Sequence, residues 1–218
     1  EALNKKLQEV NGRLQEFVGI VAHDLRSPLC TIFSTVDLIK RRKFDVEVTK
    51  ELISIIEATS KRGLVLVEEL LGLAALDTGK VSLTLARIDT AALIDRAVQE
   101  SELQVKTKGL TILAQCQEQL FIQADENRLM QVLINLITNA AKFSQTGSSI
   151  EVGCETLGEE IKIWVKDSGI GIPAEMIPML FDKTKQCSRL GTADEVGTGF
   201  GLPLAQELVV LHGSKITV

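Results

Sequence analysis

Four strings in this chain combine residue types that could do chemistry. The first is Val21-Ala22-His23-Asp24-Leu25-Arg26-Ser27-Pro28-Leu29. On a helix, His23 lies about 200° round from Val21. An apolar stripe through Val21 therefore puts the imidazole in solvent, where the Asp24 carboxylate could hold one ring nitrogen and leave the other as a nucleophile. A surface histidine beside a chance acid is the competing reading, and the string alone leaves both open. The second string is the run after Asp125, where Asn135, Asn139 and Lys142 recur at helical spacing and share one face. Two carboxamides and an ammonium suit Mg²⁺ and phosphate, because the hard cation accepts neutral oxygens alongside those of a polyphosphate. An ordinary polar helix face is the alternative there. The third, Asp167-Ser168-Gly169-Ile170-Gly171, follows a strand. Its carboxylate can accept from the exocyclic amine of adenine, while the glycines let the backbone approach a flat base. The fourth, Gly197-Thr198-Gly199-Phe200-Gly201-Leu202-Pro203, opens a helical run whose first amides can bind phosphate. It is not a Walker loop, since no Lys-Ser or Lys-Thr follows, nor the dinucleotide pattern after a strand.

Two kinds of scaffold must hold these strings. Leu3, Leu7, Val10, Leu14, Phe17 and Val21 alternate at intervals of four and three, the seam of a coiled coil. The same helix continues past Pro28 with Leu25, Leu29, Phe33, Val36 and Ile39 on one face, and stops at the basic run Lys40 to Lys43. A second set, Leu52, Ile56, Thr59, Gly63, Leu66, Leu70 and Leu73, runs to a stop at Gly79. Two helices with apolar stripes cannot hide both alone, so a four-helix bundle of two chains is expected. Beyond Gly79 the period changes. Val81, Leu83 and Leu85 alternate as a strand, Ile88 to Val105 reads as helix, and Leu110 to Leu113 and Leu120 to Gln123 read as strands. Asp125 caps a helix to Lys142, and Ser149 to Glu155 and Glu160 to Lys166 form a hairpin with Ile161, Ile163 and Val165 facing the core.

At 218 residues the length leans towards two domains at about 150 residues each. An apolar fraction of 45% with 24% charged residues is ordinary globular composition. A net charge of −5 disfavours sequence-blind binding of nucleic acid. Cys30, Cys116, Cys154 and Cys187 lie more than thirty residues apart without zinc spacing, and read as reduced, mostly core cysteines of a cytosolic protein. The longest apolar stretch, Leu70 to Leu76, is too short for a bilayer span, and no charged-then-apolar leader opens the chain, so neither membrane crossing nor export is expected. The start at Glu1 and the stop at Val218 within a β-like run read as an excised piece.

Taken in order, the strings closely resemble the sensor histidine kinases of two-component signalling, over nearly the whole chain. His23 to Pro28 resembles the H box, Asn135 to Ser144 the N box, Asp167 to Pro173 the first glycine box, Leu180-Phe181-Asp182-Lys183 the start of the F box, and Gly197 to Leu202 the second glycine box. The resemblance implies a dimeric helical hairpin (1–80) forming a four-helix bundle. A two-layer α/β sandwich of the Hsp90, gyrase, MutL and histidine kinase type (81–218) follows it, cut short at its C-terminal end. It implies ATP-dependent phosphorylation of His23 with Asp24 as general base, and transfer to an aspartate on a response regulator receiver domain. ATP with Mg²⁺ would be held by Asn135, Asn139, Lys142, Asp167, Gly169, Gly171, Phe181, Gly197, Thr198, Gly199, Gly201 and Leu202. An upstream sensory domain would signal through the coiled coil, from a protein either membrane-anchored or soluble, this part being cytoplasmic.

Two positions depart from the family pattern. After Phe181 the expected second aromatic and arginine are replaced by Thr184, Lys185 and Gln186, so Lys185 or Arg189 would take the phosphate contact and the segment Ala174 to Val196 would close less firmly. Ser27 stands where the phosphatase motif often has Thr or Asn. The altered segment after Phe181 makes a degenerate kinase acting mainly as a regulator phosphatase or scaffold the alternative, while Ser27 weakens the case for phosphatase activity. His212 matches a common family ending and reads as structural.

Overall fold

The computed structural model describes residues 2–79, 81–116, 119–184, 189–193 and 195–218, and the side chains among them from residue 18 onward. The expected seam at Leu3, Leu7, Val10, Leu14 and Phe17 lies outside the described side chains. The chain divides into a unit of Glu1–Ala74 with Asp182–Gln186 and a unit of Ala75–Phe181 with Cys187–Val218.

The first unit is built on α1 (Ala2–Arg41) and α2 (Val46–Asp77). Helix α1 runs through Pro28, which has no N–H of its own to donate to the helix ladder. It ends on Lys40 and Arg41, which suit the negative end of the helix dipole. Helix α2 starts where the Asp45 carboxylate accepts the Val48 N–H at 2.8 Å. It stops before Gly79, whose φ of 63° is cheap only for glycine. Pro28 is buried beside Gly63, where an added Cβ would lie 3.9 Å from the proline ring, so α1 and α2 pack closely there. Thr59, Leu66, Leu70 and Leu73 are buried, as their heptad spacing predicts, but Leu64, Val67 and Leu71 form a second apolar stripe that stays exposed. No helix among the described residues is long and apolar enough to cross a membrane.

The second unit contains β1 (Ala86–Asp89), α3 (Thr90–Thr107), β2 (Thr111–Cys116), β3 (Phe121–Ala124), α4 (Glu126–Phe143), β4 (Ser149–Leu157), β5 (Glu160–Lys166) and α5 (Gly201–Leu211). Strand β4 pairs parallel with β2 and antiparallel with β5, while β1 and β3 form a separate antiparallel pair. The parallel pair requires a crossover, and β3 with α4 supplies it. Leu93, Ile94 and Ala97 of α3 and Leu133, Ile137 and Ala141 of α4 bury against Ile150 and Val152 of β4. Ile161, Ile163 and Val165 of β5 pack on this core. Helices on one face of a sheet make the two-layer α/β sandwich that the resemblance implied.

Three expectations need correction. The strand near Val81 to Leu85 lies instead at Ala86–Asp89, where Ile88 pairs with Ile122. The helix expected from Ile88 begins at Thr90, because the Asp89 carboxylate accepts the Ala91 and Ala92 N–H groups and caps it there. Cys30 is exposed rather than core, and Cys116 and Cys154 sit opposite each other across β2 and β4 with their sulfurs 3.3 Å apart. Burial, with the neighbouring Cys154, pushes the Cys116 thiol up to about 11. Cys187 lies outside the described residues.

Candidate functional site

His23 is borne on α1 with its side chain 78% exposed, and Nδ1 lies 3.1 Å from Oδ1 of Asp24, which is itself only 14% exposed. With the proton on Nδ1, the ring donates to the carboxylate and its Nε2 lone pair faces solvent. A carboxylate so placed can accept the proton or stabilise the positive charge that attack by Nε2 develops. Ser27, one turn on, is exposed, and its carbonyl accepts from the Thr31 hydroxyl at 3.1 Å.

The remaining residues belong to the α/β unit, and helix α4 organises them. Asp125 is its N-cap and accepts the Arg128 N–H at 3.1 Å and the Thr84 N–H at 2.9 Å. Its own N–H donates to His212 Nε2 at 3.0 Å, while His212 Nδ1 donates to the Leu208 carbonyl at 2.8 Å. That histidine is a neutral strut between α4 and α5. Further along α4, Asn139 Nδ2 donates to Asn135 Oδ1 at 2.9 Å, which turns the Asn139 amide oxygen away from Asn135. The first residue of α5 meets the same group: a Cβ on Gly201 would lie 2.6 Å from Asn135 Nδ2. Only glycine brings the second glycine string this close.

Lys142, half-buried, meets the same string at Gly197. A Cβ on Gly197 would lie 2.5 Å from its Nζ, which also stands 4.7 Å over the Phe143 ring. Burial lowers the Lys142 ammonium pKa, with Glu195 opposing that shift and Lys108 adding to it. Asp167 is exposed at the end of β5 and its Oδ1 accepts the Gly169 N–H at 2.8 Å. The Ile170 N–H donates to the Phe143 carbonyl at 3.2 Å, and a Cβ on Gly169 would collide with that carbonyl. Gly171, at φ 68°, completes the turn. Gly199, at φ 83°, and Thr198 lead into buried Phe200 and half-buried Leu202.

The fold thus brings Asn135, Asn139, Lys142, Gly197 and Gly201 together, with the Asp167 turn bonded to the end of the same helix. Neutral amide oxygens, an ammonium and crowded glycines are a donor set that fits a magnesium-bound polyphosphate. Other expected residues are less engaged. Phe181 is half-buried after the 3-10 turn Ile177–Met179. Thr184 folds back so that its N–H and hydroxyl both bond Asp182, at 2.9 and 2.7 Å. Arg189 is half-buried, and Lys185 lies outside the described residues. Two residues that sequence reasoning missed, Lys108 and Glu195, form an ion pair at 2.6 Å beside Lys142. Nothing local in the sequence marks them, since their partners are far off in the chain.

Comparison with known proteins gives two family matches. Residues 13–79 match the His Kinase A (phospho-acceptor) domain, and residues 124–218 match the histidine kinase-, DNA gyrase B-, and HSP90-like ATPase domain. The sensor protein kinase WalK of Staphylococcus saprophyticus is 30% identical over 213 residues, which is 96% of this chain and 35% of that protein. The chain therefore spans about a third of the length of the curated relatives it matches first. Among solved structures, histidine kinase ThkA in complex with the response regulator protein TrrA is 27% identical, with a TM-score of 0.68 over 81% of this chain and 52% of that one. Acinetobacter baumannii histidine kinase AdeS shares the fold at 24% identity and a TM-score of 0.66, covering 87% of this chain and 86% of that one.

Proposed function

The chain belongs to the sensor histidine kinases of two-component systems, and on that premise we propose that it is the kinase core of such a protein. Residues 1–80 would dimerise and carry the phosphoacceptor, and 81–218 would bind ATP. One observation carries the reading: a solvent-facing imidazole, oriented by a carboxylate, shares a chain with a separate unit whose amides, ammonium and glycines suit a nucleotide.

In the reaction, Nε2 of His23 attacks the γ-phosphorus of ATP, the bond to the β,γ-bridging oxygen breaks, and ADP leaves. Asp24 holds the Nδ1 proton and stabilises the imidazolium that forms. Asp167 accepts from the adenine amine, Lys142 faces phosphate, and Asn139 with Asn135 would hold Mg²⁺. Bound there, the cation would neutralise phosphate charge. The phosphoryl group then passes to an aspartate of a receiver domain, a partner supported by the ThkA structure with its response regulator. The exposed stripe Leu64, Val67 and Leu71, with Leu29 and Phe33 on α1, supports a homodimer through the hairpin. An upstream sensory domain would act through the N-terminal end of α1, and this part would work in the cytoplasm.

A second reading, a degenerate kinase that mainly dephosphorylates or scaffolds its regulator, is favoured by Thr184 bonding to Asp182 where an aromatic would otherwise anchor. Incubation with γ-labelled ATP separates the two. Acid-labile, base-stable label on the protein is expected for the kinase. Regulator dephosphorylation without any label on the chain would select the second reading.

A further inference from the structure

Lys108 stands at the C-cap of α3, remote in sequence from every string with recognisable chemistry, and its side chain is only 11% exposed. Its Nζ donates to the Ala141 carbonyl at 2.8 Å and the Lys142 carbonyl at 2.6 Å, and meets Oε1 of Glu195 at 2.6 Å. An ammonium has three donors and no acceptor, so these three oxygens satisfy it completely. Two of them are end carbonyls of α4, where a helix leaves unpaired acceptors and partial negative charge. The third is a carboxylate oxygen of Glu195, whose backbone enters the glycine string.

That backbone is tied down around the same point. Glu195 Oε2 accepts the Ala193 N–H at 2.8 Å, and the Glu195 carbonyl accepts the Gly191 N–H at 2.8 Å. Thr192 reaches back to α4, its hydroxyl donating to the Ser144 carbonyl at 2.5 Å. A Cβ on Gly191 would lie 2.7 Å from Lys142 Cγ, so this turn rests directly on the Lys142 side chain. A carboxylate, Glu195, therefore sits beside the ammonium assigned to phosphate, and Lys108 is the cation that engages it.

Resting on the ATP-binding reading above, we propose that Lys108 is a positioning residue for the nucleotide's phosphates. It occupies the Glu195 carboxylate and fastens the approach to Gly197–Gly201 onto the end of α4. Lys142 is then left to face phosphate rather than Glu195. Without Lys108, the Glu195 charge would compete for Lys142 and repel the triphosphate, whereas the adenosine end of the ligand, read by Asp167, would be indifferent.

The test is equilibrium binding of ATP with Mg²⁺, and of adenosine, to the parent chain, Lys108→Met, Lys108→Arg and the double variant Lys108→Met with Glu195→Gln. Lys108→Met should bind ATP about tenfold more weakly, the scale of one charge-assisted bond, and adenosine within about twofold of the parent. Lys108→Arg should retain most ATP affinity, and adding Glu195→Gln to Lys108→Met should recover much of the loss. Should Lys108→Met fail to fold, Lys108→Gln, which can still donate to an α4 carbonyl, takes its place. Unchanged ATP affinity would overturn the role, as would parallel loss of ATP and adenosine without recovery in the double variant. A parent that binds neither ligand would instead overturn the ATP-binding reading itself, and this inference with it.

Discussion

The two units handle their functional residues in opposite ways. On the helical hairpin His23 projects into solvent beside Asp24, its neighbour in sequence, and a single helix suffices to place both. In the α/β unit Asp167 is exposed, but the residues assigned to phosphate and Mg²⁺ are half-buried and in contact across elements: Asn135 on α4 against Gly201 on α5, Lys142 against Gly191 and Gly197. On the proposed reading, His23 would meet first a nucleotide and then a receiver domain, and that needs access. A pocket for a polyanion needs cations and amides fixed in advance, and packing supplies that.

Removing the exposed group should have the largest effect. His23→Gln is expected to abolish acid-labile labelling while ATP affinity, measured by calorimetry, stays that of the parent. Persisting label would move the phosphoacceptor elsewhere and dissolve the contrast between the units. Asp167→Asn should weaken ATP and ADP alike by about ten- to a hundredfold, the cost of a lost charge-assisted hydrogen bond. Equal affinity would show that the adenine is read by another group.

Two glycines sharpen the comparison, one from each unit. At Gly201 a Cβ would lie 2.6 Å from an Asn135 amide atom, so Gly201→Ala should destabilise the fold by about 1–3 kcal/mol in a denaturant melt, as overpacking does, and weaken magnesium-dependent ATP binding. At Gly63 a Cβ would lie at ordinary contact distance, 3.9 Å from Pro28, inside α2. Gly63→Ala should therefore stabilise by up to about 1 kcal/mol through helix propensity. A destabilised Gly63→Ala chain would show that the hairpin is packed as tightly as the nucleotide unit.

The smallest effect concerns the Asp125 cap. The Thr84 N–H and, against the opposing effect of burial, the Arg128 N–H hold its carboxyl below the usual range. A carboxyl with a depressed folded value contributes stability above its unfolded value of about 3.9, and that contribution fades as pH falls through the folded value. Asp125→Ala should cost about 1 kcal/mol at neutral pH, and the difference from the parent should shrink in melts below about pH 4.

Much of this was legible because it is local. A heptad, a capping aspartate and a glycine stop each depend on a few neighbouring residues, so α2, α4 and the β4–β5 hairpin could be read directly, as could the exposure of His23 opposite Val21. Errors arose where two local signals competed. The alternation at Val81, Leu83 and Leu85 mimics a strand, but the pairing falls at Ala86–Asp89, where β3 offers a ladder. Asp89 outcompetes the apolar pattern from Ile88 for the start of α3 by supplying acceptors to free amides.

By itself the sequence determined the order of the elements, the family, and which residue types were available for phosphoryl chemistry, since spacing along one helix or turn encodes these. Tertiary structure alone decided that Gly201 packs on Asn135, that His212 braces Asp125, and that Lys108 engages Glu195 at the end of α4. Those partners are remote along the chain and carry no common period. They meet only because burying the apolar faces of α3, α4 and α5 brings the ends of those helices together, and the polar groups stranded there must then satisfy one another.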